Sequence, residues 1–348
     1  MLTPDQMSGV VLVGHGGYEM LKWRDDLAVP QPGSGDVLIR LAAAGVNNTD
    51  INTRTGWYSK GDGDAADAGW TGAPLSLPRI QGADACGRIM AVGEGVETTR
   101  IGERVLVEPS LQEANGKPLE TPWYLGSECD GAFAQYLVVA ARHAHAIDCD
   151  LSDVELASFP CSYSTAENML TRAGVRAGER LLVTGASGGV GSAAVQLAAA
   201  RGAEVIAQTS PAKADRLIEI GAARTVARDD GLRDVIGQGQ IDVVVDLVAG
   251  PQWPSLLEVL RPRGRYAVSG AISGPLVELD VRTLYLKDLS LFGCTVLDDG
   301  VFASLVGRIA RSEIKPLVAQ TFPLGQIAEA QEAFTRKNHV GKIVLTID

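Results

Sequence analysis

The chain has 348 residues, 46% hydrophobic and 21% charged, which is enough apolar sequence for about two globular domains and excludes a disordered or collagen-like chain. Its formal net charge is −11, whereas a nucleic-acid-binding surface needs clustered basic residues, and a negative protein is repelled by anionic membranes. We therefore expect neither nucleic acid nor a membrane as a partner. There is no run of about 18 apolar residues, and Met1–Val13 lacks signal-peptide features, so we expect a cytoplasmic protein. Five cysteines without a CxxC pair argue against a disulfide framework or a structural zinc site.

Short apolar or alternating runs, separated by turn residues, dominate the first 150 residues. Such runs are typical of strands. They predict strands at Gly9–Val13, Asp36–Ala42, Gly87–Val92, Arg104–Val107 and Phe133–Val139. Short strands at this spacing indicate a barrel-like antiparallel fold.

From Arg180 onward, predicted strands alternate with predicted helices. The strands are Leu181–Val183, Glu204–Ala207, Asp242–Asp246, Arg265–Ser269 and Ser290–Phe292, and the helices are Val190–Arg201, Ala212–Ile220 and Trp253–Leu260. This alternation predicts a parallel sheet covered by helices on both faces. Two more helices, Gly300–Ser312 and Leu324–Arg336, precede a closing strand, Lys342–Thr346.

A glycine-rich turn joins the first strand of this half to its helix. Gly185, Gly188 and Gly191 have the spacing at which bare backbone approaches a pyrophosphate, and the helix N-terminus offers unpaired N–H groups to that anion. An ordinary tight turn is the alternative. We predict a dinucleotide site formed by Gly185, Ser187, Gly188, Gly189, Val190 and Gly191.

The end of the next strand distinguishes the two nicotinamide cofactors. An NAD site usually has Asp or Glu there for the ribose 2′-hydroxyl, whereas a 2′-phosphate needs cations and neutral donors. The chain has Thr209, Ser210 and Lys213 in this place and no carboxylate before Asp215. We therefore predict NADPH, bound in part by these three residues, although Lys213 as a solvated helix residue is an alternative.

With these motifs, the chain resembles the medium-chain dehydrogenase/reductase superfamily, in its zinc-free quinone oxidoreductase-like branch. The turn at residues 186–191 has the form common in that branch. Three further segments are similar to its active-site strand and loop, to the glycine-rich segment after that loop and to its closing strand, respectively Ala44–Tyr58, Pro78–Ile89 and Val340–Leu345.

The resemblance implies an α/β fold of two domains. One is a GroES-like antiparallel β-barrel catalytic domain built from residues 1–152 and 295–348, and the other is a doubly wound (Rossmann) nucleotide-binding domain at residues 153–294. It also implies a small-molecule substrate site in the cleft between the domains, and a homodimer formed by edge pairing of the nucleotide sheets.

The resemblance bears on zinc as well. At the positions where the alcohol dehydrogenase branch holds catalytic zinc, this chain has Asn47, Ala83 and Cys161, which cannot form a three-ligand site. We expect no metal, and we interpret His143 and His145 as an ordinary strand-end pair.

The resemblance also suggests catalytic residues. Asn47 would offer its amide to the substrate oxygen or the nicotinamide carboxamide, Asp50 would orient its neighbours, and Tyr58 would donate to the substrate oxygen or simply pack the loop. Another tyrosine of the branch is here Asn52. Thr165 and Gly270 would lie beside the nicotinamide.

Two further expectations concern the surface. We expect Lys342 to face solvent, although the resemblance also allows the C-terminal segment to approach the adenosine phosphate. We expect the long loop Ser59–Pro78 to close over the substrate and to determine which substrate is accepted.

Together these observations predict an NADPH-dependent, zinc-independent oxidoreductase that transfers hydride to a quinone, enone or related conjugated carbonyl. Two alternatives stay open. One is an alcohol or aldehyde dehydrogenase of the same superfamily, and the other is a non-catalytic NADPH-binding protein.

Overall fold

The computed structural model describes residues 4–59 and 69–348. Residues 60–68 of the predicted loop Ser59–Pro78 lie outside the described residues, so the action of this loop as a lid stays a prediction. No helix within the described ranges has the length and apolar character needed to cross a bilayer.

The strands and helices follow one another along the chain as predicted in outline. The strands are β1 Gln6–Leu12, β2 Leu21–Ala28, β3 Asp36–Gly45, β4 Arg79–Ile80, β5 Cys86–Val92, β6 Arg104–Val107, β7 Ser110–Ala114, β8 Lys117–Tyr124, β9 Tyr136–Ala140, β10 Ala144–Ala146, β11 Arg180–Val183, β12 Glu204–Thr209, β13 Arg224–Ala227, β14 Ile241–Asp246, β15 Leu260–Val268, β16 Ser290–Gly293, β17 Val318–Pro323 and β18 Lys342–Thr346. The α-helices are α1 Asn48–Thr55, α2 Asp153–Leu156, α3 Pro160–Arg172, α4 Gly189–Ala200, α5 Ala214–Glu219, α6 Leu232–Ile236, α7 Trp253–Val259, α8 Val281–Leu286, α9 Val301–Ala310 and α10 Ile327–Thr335.

The chain divides into two compact units. The first contains Met1–Cys161, Pro316–Asn338 and Lys342–Asp348, and its sheets are mainly antiparallel. Its centre is β3, which pairs with β5, β9 and β18. Because both faces of β3 are covered, its residues are almost all apolar and buried, and they form the middle of this unit's core.

The second unit contains Ser162–Lys315 and His339–Gly341. Its six-stranded sheet is parallel throughout, with the order β13-β12-β11-β14-β15-β16. This is the strand order of a doubly wound nucleotide-binding fold. The predicted α/β class, a GroES-like barrel with a Rossmann-type sheet, is confirmed, while this unit begins and ends later in the chain than the predicted range 153–294.

Candidate active site

The first group of predicted catalytic residues surrounds the start of α1 in the barrel unit. Asn47 is the N-cap of this helix, and its backbone N–H donates to Asp50 Oδ2 at 2.7 Å in a capping box. Such reciprocal bonds satisfy amides that a helix N-terminus would otherwise leave unpaired. The two predicted residues are therefore brought together, and both are buried.

A carboxylate that we had not predicted, Asp84, joins this helix start to two distant segments. Its side chain is 0% exposed. Oδ1 accepts from the backbone N–H of Cys161 at 2.5 Å, and Oδ2 accepts from Asn47 Nδ2 at 2.8 Å and from Lys342 Nζ at 2.7 Å. We call Asn47, Asp84, Cys161 and Lys342 the Asp84 cluster.

The expectation that Lys342 faces solvent is wrong. Its side chain is 1% exposed, and besides Asp84 its ammonium group contacts Asn47 Oδ1 and donates to the Val46 carbonyl at 3.2 Å. β18 lies between β3 and β17, so a residue on its inner face enters the barrel core. A buried ammonium group is tolerated because three oxygens accept from it and one of them is charged.

The Asp84 cluster engages the side chain of Asn47 at both ends. Nδ2 donates to Asp84 and to the Gly45 carbonyl at 3.3 Å, and Oδ1 accepts from Lys342. An amide side chain offers two donor hydrogens and one acceptor oxygen, so both hydrogens and the oxygen of Asn47 already have partners. This geometry favours a positioning role for Asn47; its predicted contact with substrate stays a prediction.

Asp50 is placed where a charge is costly. The pKa of Asp50 is raised to about 7, mainly by burial and to a smaller extent by the charge of Asp84, while the hydrogen bond from Asn47 and the charge of Lys342 act in the opposite direction. Desolvation dominates because, among the described residues, no cation forms an ion pair with this carboxyl group. Asp50 therefore changes charge near neutral pH.

Hydroxyl and thiol groups lie beside the cluster. Tyr58 Oη donates to Thr49 Oγ1 at 3.0 Å, and burial raises the pKa of Tyr58. Tyr124 Oη lies 3.1 Å from Cys161 Sγ, and the Tyr124 ring packs with Ala83 in one apolar cluster. Burial, followed by the Asp84 charge, raises the pKa of the Cys161 thiol to about 12.

These donors do not fit a catalytic zinc ion. Asn47 is bound to Asp84 and Lys342, Ala83 has no ligand atom, and the buried Cys161 favours its neutral form. Nowhere in residues 4–59 and 69–348 do three His, Cys, Asp or Glu side chains form a group that could hold a metal ion.

The two histidines near the end of β9 have a structural arrangement. His143 Nε2 accepts from the backbone N–H groups of Gln112 and Glu113, and His143 Nδ1 lies 3.1 Å from Glu108. His145 Nε2 is 3.5 Å from the same carboxylate. The acceptor nitrogen of His143 is already engaged by two backbone N–H groups, so it is not available as a metal ligand. This supports the interpretation of His143 and His145 as ordinary strand-end residues.

In the second unit, the predicted glycine turn has a shape that fits a dinucleotide. Gly185 has φ +57°, which favours glycine, and a Cβ on Gly191 would lie 2.3 Å from the Gly185 carbonyl oxygen. Gly188, the exposed N-cap of α4, leaves the first amides of that helix accessible to an anion. The turn holds all six predicted residues, Gly185, Ser187, Gly188, Gly189, Val190 and Gly191.

The end of β12 adds polar groups beside this turn. Thr209 is 1% exposed, and its Oγ1 has no hydrogen-bond partner among the described residues. Buried hydroxyls are rarely unpaired, so this one fits a site completed by a ligand. Ser210 follows directly and is half-buried.

A cation that the sequence analysis missed lies near Lys213. Thr209 pairs with Ala227 on β13, so Ser210 and Arg228 follow the carboxyl ends of two neighbouring parallel strands. Burial lowers the pKa of Lys213, and the positive charge of Arg228 lowers it further. Two cations at this edge form a pattern suited to a phosphate.

The two residues predicted to lie beside the nicotinamide are both in the second unit. Thr165 is half-buried in α3. Gly270 follows β15, and a Cβ there would lie 2.8 Å from the Leu247 carbonyl oxygen. The close approach explains the need for glycine at position 270.

The missed residues Asp84, Lys342 and Tyr124 had one detectable signal. Asp84 and Lys342 are charged residues inside otherwise apolar segments, where a charge is expensive unless it is paired. Tyr124 is uncharged and therefore lacks this signal.

Comparisons with known proteins agree with this geometry. The sequence model of the alcohol dehydrogenase GroES-like domain matches residues 33–149, and that of the zinc-binding dehydrogenase family matches residues 189–311.

Relatives that match over almost the whole chain indicate the branch of the superfamily. The chain is 30% identical to the quinone oxidoreductase of Lama guanicoe over 362 residues, with 100% of both chains covered. It is 30% identical to the acryloyl-coenzyme A reductase of Metallosphaera sedula over 354 residues, covering 98% of this chain and 100% of that protein. A solved structure from Sinorhizobium meliloti 1021, provisionally assigned as an alcohol dehydrogenase, is 46% identical with a TM-score of 0.92 and covers 99% of this chain and 98% of its own. The chain therefore belongs to the medium-chain dehydrogenase/reductase superfamily, in its quinone oxidoreductase-like branch, and is a nicotinamide-dependent oxidoreductase.

Proposed function

We propose that this enzyme is an NADPH-dependent, zinc-independent reductase of quinones, enones or related conjugated carbonyls. One observation carries the proposal. The positions that would surround a catalytic metal are occupied by Asn47, Ala83 and Cys161, and the carboxylate that joins two of them, Asp84, is already neutralised by the Lys342 ammonium group.

A metal-free site suits acceptors that carry their own electron sink. In zinc enzymes the metal stabilises an alkoxide as a Lewis acid. In a conjugated acceptor the charge delivered by hydride spreads over several atoms, so hydrogen-bond donors suffice to stabilise the oxygen. The alkoxide in simple alcohol oxidation has no conjugated system over which its charge can spread.

When bound, NADPH would supply a hydride, so the acceptor would gain two electrons and a hydrogen at carbon, and water would supply the one proton that completes the reduction. The residues of the second unit bind and orient the cofactor. The glycine turn offers backbone amides to the pyrophosphate, and Thr209, Ser210, Lys213 and Arg228 favour the 2′-phosphate.

The names of two relatives support the acceptor class. One is a quinone oxidoreductase and the other an acryloyl-coenzyme A reductase, and both names describe a carbonyl conjugated with a double bond. The Sinorhizobium meliloti structure favours alcohol oxidation as the second candidate. The homodimer also stays a prediction; β16, one of the two outermost strands of the parallel sheet, has the exposed side chain Leu291.

The test is NADPH consumption by chelator-treated, metal-analysed protein with 1,4-benzoquinone, 2-cyclohexenone and acryloyl-CoA. In parallel, NADP⁺ reduction is followed with primary and secondary alcohols. We expect turnover of conjugated acceptors without bound metal and a preference for NADPH over NADH.

The matched control is Gly191→Val, because its side chain would collide with the Gly185 carbonyl and block the turn. This variant reports the direct reaction of quinone with NADPH in the same buffer. Alcohol oxidation that requires added zinc would overturn the proposal, as would the absence of turnover with every conjugated acceptor.

A further inference from the structure

We propose that the Tyr124 hydroxyl is a catalytic hydrogen-bond donor to the carbonyl oxygen of the acceptor, taking the electrostatic role of the absent metal. This inference rests on the proposed function and names the group that stabilises the oxygen. It is independent of Tyr58, the tyrosine for which the sequence predicted that contact.

The first observation is position. Tyr124 is the last residue of β8, and its Oη lies 3.1 Å from Cys161 Sγ. Its ring packs with Ala83, and the backbone of Cys161 is held by Asp84. The hydroxyl is therefore fixed beside two of the three residues that stand at the metal-ligand positions.

The second observation is the quality of its partner. A buried tyrosine hydroxyl normally finds a strong partner. Tyr266 Oη donates to the Asp246 carboxylate at 2.5 Å, and Tyr163 Oη donates to the Lys315 carbonyl at 3.0 Å. Within the described residues, Tyr124 Oη contacts only a thiol, which is weak both as donor and as acceptor. A carbonyl oxygen is a better acceptor than this sulfur, so the O–H can be turned toward a substrate at low cost.

The third observation is preorganisation. The Tyr124 ring stacks on Trp70 with ring centroids 4.8 Å apart and an angle of 26° between the planes. Glu128 Oε2 accepts from the Tyr124 backbone N–H at 2.9 Å, and Ser127 Oγ accepts from the Trp70 backbone N–H at 3.0 Å. A donor held in place before the reaction needs no reorganisation when charge develops.

The surrounding charges are compatible with this role. The carboxylate of the cluster, Asp84, is paired with Lys342 at 2.7 Å. A negative charge that develops on a substrate oxygen near Tyr124 therefore meets a compensated pair rather than a bare carboxylate.

The role is hydrogen bonding without proton transfer. Hydride adds at carbon, two electrons move to the carbonyl oxygen, and Tyr124 remains protonated while donating to that oxygen. Water then delivers the proton that completes the reduction. Because the oxygen is more negative in the transition state, the bond strengthens there and acts on kcat more than on KM.

The experiment uses full-length Tyr124→Phe, which keeps the ring stacked on Trp70 and removes only the hydroxyl. Tyr58→Phe tests the competing donor, and Tyr136→Phe is the control, because it removes a tyrosine hydroxyl from the same unit but outside the Asp84 cluster. Steady-state kinetics with 2-cyclohexenone, NADPH affinity and thermal unfolding are measured for each. We expect Tyr124→Phe to lower kcat about 100-fold, the size seen for a lost oxyanion donor, with NADPH affinity unchanged.

A second readout does not depend on turnover. The infrared carbonyl stretch of ¹³C-labelled 2-cyclohexenone, bound with NADP⁺, should lie at lower wavenumber in the wild type than in Tyr124→Phe. The role would be overturned by an unchanged kcat in Tyr124→Phe or by an unshifted carbonyl stretch. It would also be overturned if NADPH affinity and thermal stability fell as much as kcat. If the wild type itself reduces no conjugated acceptor, the proposed function fails, and the carbonyl stretch still decides whether Tyr124 binds the oxygen.

Discussion

The glycine turn and the Asp84 cluster are built in opposite ways. The turn is one continuous segment whose function depends on backbone shape, with Gly191 kept bare by its contact with Gly185. The cluster joins residues 47, 84, 161 and 342, which lie far apart in the chain, and it depends on buried charges. A local motif can be recognised from its spacing, whereas a cluster of this kind exists only after the barrel has closed.

The difference also predicts where each site is vulnerable. A backbone turn tolerates change at many side chains and fails where a Cβ collides. The cluster fails when one charge loses its partner, since the remaining charge cannot reach water.

The largest expected effect is on the stability of the cluster. Lys342→Met leaves the buried Asp84 carboxylate without its cation, which should cost about 3–5 kcal/mol in the free energy of unfolding. Urea unfolding measures it. The exposed Lys117→Met serves as the control and should change stability little.

The double variant Lys342→Met/Asp84→Asn tests the cause. Because it removes both charges, it should recover part of the lost stability. If Lys342→Met alone is as stable as the wild type, the cluster does not depend on charge and the contrast with the glycine turn disappears.

The next effect is a pH dependence from Asp50. Its pKa in the folded state is about 7, above the ordinary value of 3.8, so the folded protein holds a proton that the unfolded chain releases. Stability is therefore fully present at low pH and is lost as pH rises toward 7. Between pH 5 and pH 8 the wild type should lose about 3 kcal/mol relative to Asp50→Asn, from about two pKa units.

Urea unfolding midpoints at pH 5 and pH 8 give this difference. Glu155→Gln is a matched control, because Glu155 occupies the same capping-box position in α2 but is near the surface, with a lowered pKa. Its lowered pKa predicts a loss of stability only in acid, below about pH 4.5. Parallel pH profiles for the wild type and Asp50→Asn would contradict the assignment.

The smallest effect sharpens the other side of the comparison. Arg228→Ala removes one of two cations at the edge beside Thr209, and it should weaken NADPH about fivefold, the loss of about 1 kcal/mol at an exposed site. NADH affinity should not change. Fluorescence titration measures both, with Arg176→Ala as control, because Arg176 is exposed and precedes β11, at the amino ends of the parallel strands. An equal loss for the two cofactors would remove Arg228 from the phosphate site.

Several elements could be predicted because their patterns are local. β5, β6, β14 and β18 follow apolar runs, and α4 and α7 follow helical periods, each within about two residues of its predicted bounds. In the same way, the turn at residues 185–191 combined strand, glycines and helix in one segment.

Other elements escaped for identifiable reasons. The segment at Asn48–Thr55 contains poor helix formers, and α1 is stabilised by its capping box and by Gly56 in the left-handed conformation. The β7–β8 hairpin, which carries Tyr124, turns at Asn115 and Gly116, both with positive φ. This dipeptide is a strong hairpin signal that was overlooked.

The sequence by itself determined the superfamily, the two kinds of sheet and the dinucleotide turn, because spacing along the chain carries that information. Only the tertiary structure decided that Lys342 is buried, that Asp84 joins four segments, and that the Tyr124 hydroxyl meets Cys161. The physical reason is that burial and pairing of charges depend on which distant residues share one core. A charged residue in an apolar run shows that a partner is needed, but only the folded barrel supplies it.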